Sequence, residues 1–239
     1  VLVVKKDLVN IVKAPSRTGG GTVQYVTNTT HQYLTDPVER YEGGTPNITG
    51  IMRVGLTFLL KRAAENQYAE LQGTDNSLPN SLLDIEHNTY EYVRDRLGKS
   101  APNLVLLGCG PSDDKNLPIF PFLIRCGKRF LHYNFVCAIL NDVFGIQSRG
   151  GCQCAGPNSQ RLLGLSDDDD MPNERNRKIE YALTKYSEGA GLLRPGYTRL
   201  SLPFKGMRNE EVEYVMKALE WVSKNGWALM CQYRCEAAT

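Results

Sequence analysis

Between Pro102 and Gly145, apolar stretches of different spacing follow one another, and they constrain the fold more than any other part of the chain. "PNLVLLG" and "LPIFPFLIR" are short apolar runs edged by proline and glycine, which suits strands buried on at least one face. "NFVCAILNDVFG" instead brings Phe135, Val136, Ile139, Leu140 and Val143 to one side at helical spacing, with Gly145 as the stop. "IQSRGGC" then reads as a strand, and Pro157 suits the first turn of a short helix continuing through Arg161 and Leu162. "GYTRLSLPF" alternates, placing Tyr197, Arg199 and Ser201 on one face and Thr198, Leu200 and Leu202 on the other. Strands and helices mixed in this order predict helices on one face of a small, largely antiparallel sheet.

The flanking segments extend this pattern. "VLVVKKD" has the β-branched, apolar character of a strand with no turn or cap ahead of it, so the chain is expected to be a fragment that begins inside a strand. Gly19-Gly20-Gly21 supplies a turn into a second β-rich run, and "TDPVERYEGGTPNITG" reads as a loop from its Pro, Gly, Asp and Asn content. From Ile48, the positions Ile51, Met52, Leu56, Leu59 and Ala63 form one face of a long helix running to about Tyr68 and joining two structural units. Asn80 or Ser81 caps another helix, with Leu82, Ile85, Thr89, Val93 and Leu97 on one side and Gly98 at its end. A polar insertion, "SDDDDMPNERNRK", leads into a further helical stretch. The last clear helix is capped by Asn209, turns Val212, Val215, Met216, Leu219 and Val222 inward, and ends at Gly226.

Charge and cysteine usage narrow the function classes. The 28 basic and 26 acidic residues leave a formal net charge of +2, spread along the chain without a basic stripe, which argues against nucleic acid and membrane surfaces as partners. No apolar run has the length of a membrane span and no signal-peptide pattern is present, so a soluble protein is expected. Seven irregularly spaced cysteines, in a chain too long to need staples, read as reduced thiols in the cytoplasm. Without a secretory signal, the glycosylation patterns at Asn28 and Asn47 are taken as chance.

Three constellations have chemical potential. In "RGGCQCAGP", Arg149 to Pro157, the glycines permit close backbone approach to a ligand, and Cys154 reads either as a nucleophile or as a structural thiol. A C-x-C pair with three dispersed histidines, His31, His87 and His132, does not make a zinc site. Arg199, flanked by Leu200 and Leu202, is either a solvated edge residue or a guanidinium held for bidentate recognition of a carboxylate. In "YEGGTPN", Gly43, Gly44 and Thr45 could offer backbone N–H groups and a hydroxyl to a phosphate at the start of the following helix, or form an ordinary loop. Asp167 to Asp170 reads as a solvated loop. Cys231 and Cys235 could share a helix face as metal ligands, but no third ligand is nearby, so no metal is expected.

Together, "YEGGTPNITGI", "LHYNFVCAILNDVFGIQSRGGCQCAGP" and "YTRLSLPF" resemble, in order, the C-terminal part of a class V aminotransferase, the pyridoxal-phosphate family that includes the cysteine desulfurases. The resemblance implies an α/β fold, the fold type I of such transferases. Residues 1–50 would be the end of the cofactor-binding large domain and residues 51–239 the C-terminal α+β small domain. It puts Cys154, not Cys152, at the catalytic-cysteine position. It gives the α-carboxylate of an amino-acid substrate to Arg199, with Arg149 on the substrate side. Gly44 and Thr45 would reach the cofactor phosphate of the partner subunit in a homodimer.

The same resemblance carries two departures. The Schiff-base lysine is expected upstream of Val1, since neither Lys5 nor Lys6 fits its place, and this chain by itself should not bind pyridoxal 5'-phosphate covalently. The insertion between Cys154 and Arg199 is longer and more polar than a desulfurase loop suggests. The class of reaction therefore stays open between aminotransferase, desulfurase and lyase. A non-catalytic dimerising or regulatory module that kept the fold without the cofactor half is the alternative.

Overall fold

The computed structural model describes residues 2–5, 8, 15, 19–72, 81–109, 116–166, 173–185, 190–202 and 207–235. The chain divides into two compact units, Val1–Asn76 and Ser77–Thr239. In the first, β1 (Val23–Val26) and β2 (His31–Tyr33) form an antiparallel hairpin. A short helix follows, α1 (Pro37–Tyr41), where sequence content predicts only loop. Its start is local chemistry: the Asp36 carboxylate accepts from the N–H groups of Val38 and Glu39, and Pro37 sits where a missing N–H costs nothing. The strand expected at the beginning is not formed among the described residues, since Leu2–Lys5 has no regular element. A strand needs a neighbour to take its backbone hydrogen bonds.

Two glycine-rich loops are pinned together in this unit. A Cβ on Gly19 would stand 2.9 Å from the Cα of Gly43, and the Gly44 N–H donates to Gly20 O at 2.7 Å. Side chains at either of the first two positions would force the loops apart. The long helix α2 (Ile48–Gln72) follows, starting where Asn47 Oδ1 accepts from Gly50 N. Its apolar residues are not confined to one face: Ile51, Met52, Leu56 and Leu59 occupy one side, Phe58 another, and all five are exposed. The domain boundary implied by the family resemblance, between residues 50 and 51, falls inside this helix, whereas the compact units part after it.

The second unit contains α3 (Leu82–Ser100), β3 (Leu104–Leu106), β4 (Ile119–Cys126), β5 (Arg129–Phe130), α4 (Tyr133–Phe144), β6 (Arg149–Gly151), α5 (Gly156–Leu162), α6 (Glu174–Lys185), β7 (Tyr197–Ser201) and α7 (Asn209–Asn225). 3-10 segments at Gly191–Leu193 and Gly226–Gln232 precede β7 and follow α7. The sheet order is β3-β4-β7-β6, with β5 added to β4, and every pairing is antiparallel. Phe120, Phe122 and Ile124 alternate along β4 and bury one face of the sheet with Leu97 of α3, Ile139 and Leu140 of α4, and Met216, Leu219 and Val222 of α7. Burying each such side chain contributes roughly 1.5–3 kcal/mol. This is the one-sided antiparallel sheet that the sequence pattern predicts, mixed with helices in an α/β chain.

Helix ends largely follow the sequence signals. Ser81 caps α3, accepting from Asp84 N at 3.2 Å, but the helix continues through Gly98 to Ser100. Gly145 ends α4 in the left-handed conformation. At α7 the expected cap Asn209 is instead the first helical residue. The Glu211 carboxylate reaches back to the N–H of Arg208 at 2.9 Å and satisfies a donor the helix cannot. Between α3 and α7, Glu220 accepts from Ser100 Oγ at 2.6 Å and Arg96 Nε at 2.8 Å. Burial pushes the Tyr90 hydroxyl, which stacks on Phe120, up to about 12.

Candidate functional site

The site grows from the edge strand β6. Its three residues pair with β7 so that Arg149 stands opposite Arg199, Gly150 opposite Thr198 and Gly151 opposite Tyr197. Directly opposed residues of an antiparallel pair share a face, so the Arg149 and Arg199 side chains leave the sheet on the same side. Among the described residues, no carboxylate pairs with either. The opposite face is closed by α4: a Cβ on Gly150 would meet Tyr133 Cδ2 at 2.7 Å and Asn134 Oδ1 at 2.9 Å. Glycine at this position is what lets the start of α4 lie on β6.

Beyond Gly151 the chain reverses through Cys152, Gln153, Cys154 and Ala155, with the Ala155 N–H donating to Cys152 O at 3.1 Å. Gln153 and Cys154 have φ of 59° and 58°, and they alone among the described non-glycine residues have positive φ. Two successive positive φ values define a turn that ordinarily takes Asn and Gly. The turn is braced from several sides. Gln153 Nε2 donates to Arg149 O at 3.1 Å and lies near the carbonyls of Gly151 and Tyr197. Ser159 of α5, itself buried, donates to Cys152 O at 2.5 Å. Arg149 Nη2 donates to Cys154 Sγ at 3.0 Å. Both thiols are exposed.

A cavity of about 530 Å³ opens over this turn, within the range of small-molecule sites. Arg149, Cys152, Cys154, His132, Tyr133 and Arg194 are among the residues that line it. No lysine and no carboxylate belongs to the described lining, so the charge it presents is positive. Burial raises the Tyr133 hydroxyl pKa. The Arg194 guanidinium opposes that shift and Cys152 adds to it, and both line the cavity with the tyrosine. His132 caps α4 by accepting Asn134 N–H at Nδ1, and burial lowers its pKa, so the neutral ring belongs to the fold.

Of the residues singled out in the sequence, Arg149 and Cys154 meet in this cavity. Arg199 faces the same side as Arg149 but is not part of the cavity lining. Gly44 and Thr45 belong to the other unit. Among the described residues no three potential metal ligands are gathered, and no helix is long and apolar enough to cross a membrane. Asp167 to Asp170 lie outside the described residues. Sequence reasoning missed Gln153, Ser159, Tyr133 and Arg194. The consecutive glycines at 150 and 151 were the available signal for Tyr133, since such a pair marks a close approach. Nothing local marks the other three.

The match to known proteins follows this geometry only in part. Residues 1–166 match the family described as Aminotransferase class-V, a span that holds Arg149 and Cys154 and stops before Arg199. A probable cysteine desulfurase from Pyrococcus abyssi (strain GE5 / Orsay) is 32% identical over 163 residues, covering 68% of this chain and 35% of that protein. The chain thus spans about a third of the length of the curated relative it matches. In three dimensions it is similar to the cysteine desulfurase CsdA (S-sulfonic acid) from Escherichia coli, with a TM-score of 0.52, 18% identity, and coverage of 88% of this chain and 39% of that one. That likeness shows the fold.

Proposed function

Because the chain belongs to the class V aminotransferase family, we propose that it is the C-terminal portion of a pyridoxal-phosphate-dependent enzyme acting on an amino acid, with cysteine desulfuration as its reaction. Residues 1–50 would end the cofactor-binding lobe and residues 51–239 form the small lobe of a homodimer. The observation that carries this reading is the 3.0 Å contact between the Arg149 guanidinium and Cys154 Sγ in a positive cavity. Transamination needs no thiolate, so under that reading Cys154 would only line the cavity. The seven free thiols suit a reducing, cytoplasmic setting.

The Gly44–Thr45 loop is where the residues present bear on the cofactor. Gly44 has φ of +86°, and its N–H is already bound to Gly20 O, so glycine shapes the loop without donating to a phosphate. Thr45 is exposed and its donors have no partner among the described residues, and the start of α2 follows three residues later. A phosphate would therefore be taken by Thr45 and the free N–H groups of that helix start. The Schiff-base lysine is assigned to polypeptide preceding this chain. When bound, pyridoxal phosphate supplies the electron sink for bond breaking next to the substrate amine.

The chain's own residues supply the rest. Arg199 binds the substrate carboxylate through its planar fork, and Arg149 faces the same side to share the charge. Cys154 attacks the substrate sulfur as a thiolate: a sulfur–sulfur bond forms, the carbon–sulfur bond breaks, and its electron pair stays with carbon. Arg149 compensates the negative sulfur before and after transfer. The test uses the full-length polypeptide. Its cofactor absorbance should shift on adding an amino acid, and Cys154→Ala should keep that shift while losing the protein persulfide. Persulfide formation that survives Cys154→Ala rules out the thiol role. No shift with any amino acid, cysteine included, leaves the non-catalytic dimerising module as the reading.

A further inference from the structure

Cys152 has no part in that mechanism, yet it occupies the same turn and the same cavity as Cys154. We propose that Cys152 is the resolving thiol of this site: it discharges sulfur carried on Cys154 by closing a Cys152–Cys154 disulfide and releasing hydrosulfide. The proposal rests on the desulfurase reading for the origin of that sulfur.

Reach is set by the backbone. Residues two apart can separate their Cα atoms by no more than about 7 Å, and a reverse turn shortens this, into the range of roughly 4.4–6.8 Å that a disulfide spans. Both partners are fixed at the turn: the Cys152 carbonyl accepts from Ser159 Oγ and Ala155 N–H, and Cys154 is held by Arg149. Both thiols are exposed to the cavity, and no other cysteine belongs to its described lining. Cys137, half-buried beneath Gly150, is not part of that lining. A persulfide on Cys154 therefore meets Cys152 before any other thiol of the described chain.

The step balances without an external oxidant. Cys152 Sγ attacks Cys154 Sγ, the bond between Cys154 Sγ and the outer sulfur breaks, and its electron pair leaves with that sulfur. The Cys152 proton ends on the departing sulfur, so a thiol and a persulfide anion become a disulfide and hydrosulfide. Cys152 Sγ is oxidised to the disulfide level as the outer sulfur is reduced to sulfide, and Cys154 Sγ, already bonded to sulfur, keeps its oxidation level. Arg149 offsets the charge on the leaving group. A thiol reductant of the dithiol class returns the pair to its starting state.

The experiment loads sulfur onto the 239-residue chain with an organic trisulfide, which needs no cofactor: its central sulfur passes to the Cys154 thiol as a persulfide while the two flanking thiol groups leave joined as the organic disulfide, and an alkylating quench follows. Trypsin cuts after Arg149 and Arg161 and releases Gly150–Arg161, which holds both thiols. The expected result is a peptide two hydrogens lighter than its reduced form, with one equivalent of sulfide released per disulfide closed. In Cys152→Ser the same peptide should keep one extra sulfur on Cys154, and sulfide release should fall to the reagent blank. A wild-type peptide that retains the extra sulfur with Cys152 alkylated overturns the proposal. So does sulfide release unchanged in Cys152→Ser, or a Cys154 that accepts no sulfur. Because the trisulfide bypasses amino-acid chemistry, loss of the desulfurase reading would show only in the full-length assay above.

Discussion

Gly196→Ala is the sharpest test of how β7 holds the site. A Cβ at this position would stand 2.6 Å from Tyr133 Cε1, 2.8 Å from Gly151 Cα and 2.9 Å from the Gly151 carbonyl carbon. The ring could give way, but the other two atoms are backbone of β6, and no rotamer change relieves them. Overpacking of this kind costs about 1–3 kcal/mol, and contacts against main chain place Gly196→Ala near the upper end. For a unit the size of Ser77–Thr239, each kcal/mol moves Tm by about 2–4 °C, so the melt should fall by roughly 6–12 °C. Gly98→Ala is the matched control. Nothing lies within 4 Å of a Cβ there, and in the exposed last turns of α3 alanine should stabilise by about 0.5–1 kcal/mol. Far-UV circular dichroism melts of the two variants should therefore move in opposite directions. A Gly196→Ala melt within about 2 °C of wild type would refute the claim that β6 and β7 meet this closely.

Arg149→Gln should slow alkylation of Cys154 by iodoacetamide at neutral pH by up to about fivefold, the most a single exposed charged contact supplies; the rate is read at Cys154 by fragmentation of the tryptic peptide ending at Arg161, which in the variant runs from Phe130 because the cut after residue 149 is lost. His132 is held neutral by burial and by its capping bond, so its pKa is below that of the unfolded chain. Above the unfolded value both states are neutral and stability is full. As pH falls through that value toward the lower folded one, the unfolded state takes the proton first and stability drops. His132→Asn, which can still cap α4, should flatten this loss in urea titrations run from neutral to mildly acidic pH. Glu220→Gln should destabilise by roughly 1 kcal/mol, since its carboxylate accepts from both Ser100 and Arg96 across α3 and α7. Hydrogen bonding from Ser100, then Arg96, lowers the Glu220 pKa, so the difference from wild type should shrink in acid as that carboxylate protonates.

The elements of the second unit were readable because their signals are local. The apolar spacing of Phe135, Val136, Ile139 and Leu140, and the stop at Gly145, carry α4 whatever surrounds it. The alternation from Tyr197 to Ser201 likewise set which side of β7 carries Arg199. Where reading failed, a second segment or a competing cue decided. Asp36-Pro37 is at once a turn pair and a helix start, and composition alone favoured the turn. Leu2–Lys5 has strand-forming residues, but a strand is made by its neighbour. The opposition of Arg149 and Arg199 follows from a pairing register across a 45-residue connection that no local pattern encodes. Arg194 enters the cavity for the same reason, from the far end of the polar insertion.

The turn at Gln153 and Cys154 was the least legible feature, and it is the most informative. A left-handed conformation costs an ordinary L-residue about 1–2 kcal/mol, and glycine at either position would remove that cost. Gln153 has a structural reason to be there, because its side-chain amide ties the turn to the carbonyl of Arg149. Cys154 has none: its side chain is exposed, fills no core space, and its one hydrogen-bonded neighbour is a guanidinium. Strain held in place by surrounding contacts, at a residue that packing does not require, motivates the proposal of a chemical role for that residue. The strain at Cys154 thus agrees with the sulfur chemistry proposed above, and the bonds of Ser159, Gln153 and Arg149 hold the turn in which that thiol sits.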